Sequence, residues 1–218
     1  MKKTVSPTQK ALNLWAVILI IWSVYRYNFR LPEWFDEFIA KPIVFVLPIF
    51  FYITKVEKKN FFKEIWLTRK NLFKEILLGF GIGILFLVSA SLGSYFKYQR
   101  FNFLSTNRSW ENILFLFFIS LATGITEEVL SRGFVLKKLY DESKNIISIS
   151  FFASLLFFFL HVPILFTNAK IIGRLLLLIM FTDLGLSLAI SFIFLTRQSL
   201  VIPILIHAFY NFFILIFI

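Results

Sequence analysis

The sequence LATGITEEVLSRGF, residues 121–134, places Glu127, Glu128 and Arg132 inside an otherwise apolar segment of about residues 112–139. Charged side chains at membrane depth are costly, and they usually face a bundle interior or a water-filled cavity. Glu128 and Arg132 are four residues apart, so on a helix they share a face and can pair. Glu127 points about 100° away from Glu128 and has no built-in cation. We therefore predict that Glu127 is the carboxylate available for chemistry.

The composition predicts a polytopic α-helical membrane protein. Hydrophobic residues make up 59% of the 218 residues and charged residues only 16%, whereas a soluble domain has about 25% charged residues. The longer apolar blocks have the length that spans a bilayer as a helix. We expect a single all-α membrane domain over residues 1–218, with a cavity at bilayer depth and no room for a separate soluble domain.

The apolar blocks predict about seven spans, with six to eight as the range. They cover about residues 11–25, 42–53, 77–95, 112–139, 146–160, 175–195 and 200–218. Basic residues concentrate in alternate connections, which predicts a cytoplasmic N-terminus by the positive-inside rule. In the third span, Gly79, Gly81 and Gly83 are expected to permit close helix contact.

Two charged connections separate the first three spans. Residues 26–41 are interpreted as an interfacial connection with aromatic anchors. Residues 55–75 are the most basic stretch, and their apolar residues fit either an amphipathic helix on an anionic leaflet or a plain charged loop. The net charge of +11 is therefore attributed to membrane topology, and no nucleic-acid partner is expected. The chain has no cysteine, which excludes disulfides, thiolate metal sites and cysteine nucleophiles.

The chain has only two histidines, His161 and His207, and both lie in apolar spans. Asn211 follows His207 by four residues, so the two share a helix face. At 1.5 Å of rise per residue, Glu127 and the two histidines lie within about one to two helical turns of the same depth. A shared intramembrane site is therefore geometrically possible.

Such a set of side chains suits hydrolysis. A carboxylate and an imidazole beside one water molecule can deprotonate it for attack on a carbonyl. A second imidazole with a neighbouring amide can donate hydrogen bonds to the oxyanion that forms. Glu127 with His161 fits the first role, and His207 with Asn211 fits the second. The predicted chemistry is attack of water on an amide, without a serine, cysteine or lysine nucleophile.

Three motifs occur in order on separate helices, Glu127-Glu128-x-x-x-Arg132, Phe157-x-x-x-His161 and His207-x-x-x-Asn211. Together they resemble the CAAX prenyl protease 2 (Rce1-type) family, which includes the bacterial CPBP, or Abi, proteins. The resemblance covers about residues 110–215, so residues 111–218 would be the catalytic core and residues 1–110 additional helices. It implies a glutamate-dependent intramembrane endopeptidase. It also implies catalytic roles for Glu127, His161, His207 and Asn211, and supporting roles for Glu128 and Arg132. Asp183, between the second and third motifs, stands where a small or apolar residue is expected.

A divalent metal such as zinc is the one cofactor left open. Glu127, His161 and His207 would supply three ligands and leave an open position. The sequence has no H-E-x-x-H helix, so the usual metalloprotease geometry is absent. Water activation of the kind described works without a metal.

The expected partners are the lipid bilayer and a peptide or lipidated protein presented at the membrane. Eukaryotic relatives of the resembled family imply prenylated CAAX substrates. The Phe- and Ile-rich composition without cysteine is more typical of a bacterial plasma-membrane protein, for which a peptide pheromone, bacteriocin or leader peptide is the better expectation.

Two other function classes fit part of the sequence. A non-catalytic bacteriocin-immunity or binding protein could have the same fold, with Glu128 and Arg132 as a structural ion pair and Asn211 as an interhelical contact. Intramembrane ionisable residues also describe a proton-coupled transporter, although inverted repeats are not apparent. A change of Glu127 to glutamine separates these classes, because it should abolish proteolysis, leave pure binding intact and alter pH-dependent flux in a transporter.

Overall fold

A computed structural model describes residues 5–29, 31–68, 71–99, 109–167 and 173–217. This part of the chain is predominantly helical and contains no strand. Its helices are α1 Pro7–Asn28, α2 Glu33–Val56, α3 Phe61–Glu64, α4 Leu72–Tyr98, α5 Trp110–Glu142, α6 Ile146–Thr167, α7 Gly173–Arg197 and α8 Val201–Phe217. The predicted all-α fold is confirmed.

Within these ranges, α2, α4, α5 and α6 are long and apolar enough to cross a membrane, and α8 is a shorter apolar helix. Their outer faces carry large apolar side chains, such as Leu77, Leu85 and Phe96, which are 63%, 65% and 72% exposed. Such continuous apolar surface is suited to lipid, because a helix satisfies its own backbone polar groups there. The structure thus confirms a polytopic helical membrane bundle, while the number of seven spans and the orientation stay predictions.

Helix α5 runs through the centre of the bundle. It begins where the Ser109 side chain accepts a hydrogen bond from the backbone N–H of Asn112, the usual way to satisfy a free N–H at a helix start. Over Val129–Leu136 its backbone widens to i→i+5 hydrogen bonding, a rare geometry that is often found at functional sites. Every residue of this wide segment is buried. It packs against α1, α2, α6 and α7.

Helix α8 packs between α4 and α5, and two glycines of α4 permit this contact. A Cβ atom at Gly79 would lie 2.5 Å from the side chain of Leu205, and one at Gly83 would lie 2.6 Å from the ring of Phe209. The prediction of close helix contact is therefore confirmed at these two positions. It is wrong for Gly81, where a Cβ atom would have no described neighbour within 4 Å.

The structure differs from the prediction for residues 26–41. Helix α2 begins at Glu33, so the second half of this segment is helix rather than an interfacial connection. Asp36 is buried; it accepts a hydrogen bond of 2.5 Å from the Tyr25 hydroxyl and forms an ion pair with Arg26. Because partners on α1 satisfy this carboxylate, the helix can carry charged residues into the bundle.

Residues 55–75 also differ from a long amphipathic helix. Between the end of α2 at Val56 and the start of α4 at Leu72, the described residues form one short helix, Phe61–Glu64; residues 69–70 lie outside the described residues. Phe61 and Ile65 are buried in the hydrophobic core rather than directed to a leaflet. The ammonium of Lys138, near the end of α5, donates to Glu57 at 2.6 Å and to Glu64 at 2.8 Å. These ion pairs bind residues 57–64 to the end of α5.

Candidate active site

Glu127 lies at the end of the α-helical part of α5 and is buried. Its oxygen Oε1 accepts a hydrogen bond of 2.7 Å from Lys41 Nζ. Its oxygen Oε2 lies 3.4 Å from His161 Nε2 and 3.7 Å from His207 Nε2, and accepts no hydrogen bond from the described part of the chain. The structure therefore brings three of the predicted site residues, from α5, α6 and α8, together around one oxygen atom.

His161 is oriented by its own helix. Its Nδ1 lies 3.2 Å from the carbonyl oxygen of Phe157, one turn earlier on α6. A carbonyl can only accept, so a hydrogen bond here is donated by Nδ1, and in the neutral ring Nε2 then carries a lone pair. The Phe157 ring lies 4.7 Å from the ring of His161 and 5.7 Å from that of His207. Phe157, the other defined residue of its motif, thus packs against both histidines.

His207 is oriented by Glu128. Its Nδ1 donates to Glu128 Oε1 at 2.8 Å, and Arg132 Nη1 donates to the same oxygen at 2.8 Å. Arg132 Nη2 continues to the carbonyl oxygen of Ser187 on α7 at 3.1 Å and to its hydroxyl at 2.7 Å. Glu128 and Arg132 thus form the pair that their spacing predicts. The carboxylate also directs His207 Nε2 towards Glu127, as outer partners of functional histidines commonly do.

The sequence interpretation missed Lys41 and Glu37. Lys41 is 4% exposed, and its ammonium donates to Glu37 Oε1 at 2.6 Å as well as to Glu127. Glu127 has no cation on its own helix, as its spacing predicts, but the fold supplies Lys41 from α2. The sequence does contain a signal for this pair, because Glu37 and Lys41 are four residues apart in a helix that follows Pro32. The interpretation of residues 26–41 as a connection does not use this spacing.

A cavity of about 140 Å³ opens beside the two histidines and is lined by Asn211, Asp183 and Tyr210 as well. Asn211 lies one turn beyond His207 on α8, as predicted from their spacing. This volume suits a few water molecules or one side chain, whereas pockets for whole ligands measure about 300–1,000 Å³. Asp183 thus contributes a carboxylate to the cavity wall, in place of the small or apolar residue expected there.

The site residues do not fit a metal centre in this arrangement. In the described ranges, no three His, Asp or Glu side chains have the geometry of a metal-ligand group. In addition, the ammonium of Lys41 is bound to Glu127, and a fixed positive charge there repels a divalent cation.

Comparison with known proteins indicates one family. Residues 109–213 match the family model described as type II CAAX prenyl endopeptidase, Rce1-like. The matched region contains all three motifs, and the match confirms the resemblance that they indicate. Because this is a protease family, the match supports a membrane protease in general. No curated protein and no solved structure matches the chain.

Proposed function

We propose that this chain, whose residues 109–213 match the Rce1-like family model, is an intramembrane endopeptidase that cleaves a membrane-associated peptide or protein. One observation carries the proposal. Oε2 of Glu127 faces Nε2 of both His161 and His207 in a buried site. A carboxylate and imidazoles directed at one point can hold a water molecule and accept its proton.

Glu127 and His161 would activate the water. The lone pair of His161 Nε2 and Glu127 Oε2 are both acceptors, so a water molecule can donate one hydrogen bond to each. As the water oxygen bonds to the scissile carbonyl carbon, one water proton passes to Glu127. When the C–N bond breaks, the glutamic acid returns this proton to the leaving amine, and the carboxylate is restored.

His207 and Asn211 would stabilise the oxyanion of the tetrahedral intermediate. Because Glu128 binds the Nδ1–H of His207, the ring donates through Nε2 only when both nitrogens carry protons. The side-chain amide of Asn211 donates in any case. Loss of one oxyanion donor typically lowers kcat by about 10²–10³-fold.

The proposed substrate is a peptide that partitions into the bilayer, such as a peptide pheromone, bacteriocin or leader peptide. The outer faces of the spanning helices are apolar, and the cavity accommodates only about one side chain. The rest of a substrate would therefore bind along the helices. A bacterial plasma membrane and a cytoplasmic N-terminus belong to this proposal, and a prenylated protein is the substrate that the family name suggests.

The test compares purified wild type, Glu127→Gln and Glu111→Gln in detergent with quenched fluorescent peptides, lipidated and unlipidated. Glu111 lies in the first turn of the same helix and is exposed, so it controls for loss of a carboxylate. We expect cleavage by wild type and Glu111→Gln, and a loss of about 10²–10⁴-fold in Glu127→Gln. Equal rates in wild type and Glu127→Gln would refute the proposal.

A strong chelator and a growth assay complete the test. Cleavage should persist in the chelator, because no proposed step needs a metal. Inhibition by the chelator that added zinc reverses would contradict the metal-free activation of water. Protection of cells against bacteriocins that survives in Glu127→Gln would instead indicate a non-catalytic binding protein.

A further inference from the structure

Lys41 is a buried cation to which the water-activation steps assign no role. It lies on α2, outside the region that matches the family model. Its ammonium bridges two carboxylates, with Nζ 2.6 Å from Glu37 Oε1 and 2.7 Å from Glu127 Oε1. Burial of such a charge is costly unless it is paired and hydrogen-bonded.

The contact between Lys41 and Glu127 is one of two polar contacts that join α2 to α5. Thr123, one turn before Glu127, donates from its hydroxyl to Glu37 Oε2 at 2.8 Å. Two positions of α2, four residues apart, therefore bind two positions of α5 that are also four residues apart. This double contact fixes the rotation of α2 against α5 and gives the ammonium a defined place beside Glu127.

We propose that Lys41 is a positioning residue for Glu127, an inference that rests on the proposed function. The terminal torsion of a glutamate is broad, so a carboxylate without a partner can turn its oxygens. Lys41 binds Oε1 and so leaves Oε2 directed at His161 and His207. Its charge also balances that of Glu127 in a site where an unpaired carboxylate is costly.

A second buried lysine that bridges two glutamates provides a control; Lys59 contacts the same two glutamates. Lys138 is buried, and its ammonium also bridges two glutamates, Glu57 and Glu64. These contacts involve neither Glu127 nor a histidine, so Lys138 lies outside the proposed site. A loss of activity from generally weakened packing should appear in Lys138→Met as well as in Lys41→Met.

The kinetic test measures kcat and KM separately. We expect Lys41→Met to lower kcat by about 100-fold, the effect of misplacing a catalytic group by about 1 Å, with KM nearly unchanged. Lys41→Arg should recover much of kcat because it restores a cation, and Lys138→Met should keep the wild-type value. Equal kcat in wild type and Lys41→Met, or equal losses in the two methionine variants, would overturn the proposal.

A second readout needs no substrate. A hydrophobic carbodiimide adds to protonated carboxyl groups in apolar surroundings, and mass spectrometry of peptides locates the modified residue. We expect Glu127 to resist modification in wild type, Lys41→Arg and Lys138→Met, and to react in Lys41→Met. Lys41→Gln, which keeps a donor without the charge, replaces the methionine variant if that variant does not fold.

The two readouts separate the two proposals. If no peptide is cleaved but Glu127 reacts in Lys41→Met and not in Lys41→Arg, the protease proposal fails and the role of Lys41 stands. If wild type cleaves and Lys41→Met changes neither kcat nor labelling, the role of Lys41 fails and the protease proposal stands.

Discussion

Replacement of Arg132 by methionine is expected to lower the free energy of unfolding by about 3–5 kcal/mol, the usual cost of leaving one member of a buried ion pair alone. Its guanidinium and the Glu128 carboxylate are 2.8 Å apart, with side chains only 1% and 0% exposed. At that distance two unit charges attract by about 6 kcal/mol in an effective dielectric of 20. Methionine would also remove both hydrogen bonds to Ser187.

The assay is unfolding in detergent micelles by titration with sodium dodecyl sulfate, followed by circular dichroism. The control is Lys59→Met, which breaks the ion pairs with Glu57 and Glu64. The Lys59 side chain is 50% exposed, and both glutamates keep their contacts with Lys138, so this change should cost only about 0–1 kcal/mol. A loss below about 1 kcal/mol in Arg132→Met would contradict the view that Glu128 depends on a buried counter-charge.

The double variant Glu128→Gln/Arg132→Met separates stability from function. It should be more stable than Arg132→Met, by at least about 1 kcal/mol, because no uncompensated charge remains. Cleavage should nevertheless not recover, since His207 has lost the carboxylate that orients it. Strictly additive losses of stability, or a return of activity with stability, would refute this reasoning.

Two further changes are informative. Gly124→Ala should destabilise the protein by about 1–3 kcal/mol, because the new Cβ atom would lie 2.9 Å from the carbonyl oxygen of Ile204. Gly81→Ala is the control, because a Cβ atom there has no described neighbour within 4 Å. It should be neutral or stabilising by up to about 1 kcal/mol in the same unfolding assay. Asp183→Asn should lower kcat/KM by about tenfold for peptides with a lysine beside the cleaved bond, the value of one charged hydrogen bond. An equal loss for the matching leucine peptides would show that the cavity carboxylate does not select cations.

The sequence predicted those features of the site that depend on neighbours within one helix. Glu128 and Arg132, and likewise His207 and Asn211, are four residues apart, so helical geometry alone places each pair on one face. Helix rise also predicted that Glu127 and the two histidines have similar depth. Their convergence in the structure needs only that α5, α6 and α8 turn these faces towards each other.

Contacts between distant residues could not be obtained in this way. Lys41 and Glu127 are 86 positions apart, and Glu128 and His207 are 79 apart. No periodicity relates such positions, because their distance depends on how helices pack. The role of Lys41 was also difficult to predict because residues 26–41 contain several charges. These charges lower the mean hydropathy of the segment, which then resembles a connection between spans.

The sequence by itself determined the fold class, the helical character of the spans and the pairing of Glu128 with Arg132, because these follow from apolar length and local spacing. Only the tertiary structure decided which oxygen of Glu127 faces the histidines, which carboxylate orients His207, and which cation holds Glu127. The physical reason is that a buried charge must be satisfied by partners within about 3–4 Å. Helix packing chooses those partners from anywhere in the chain.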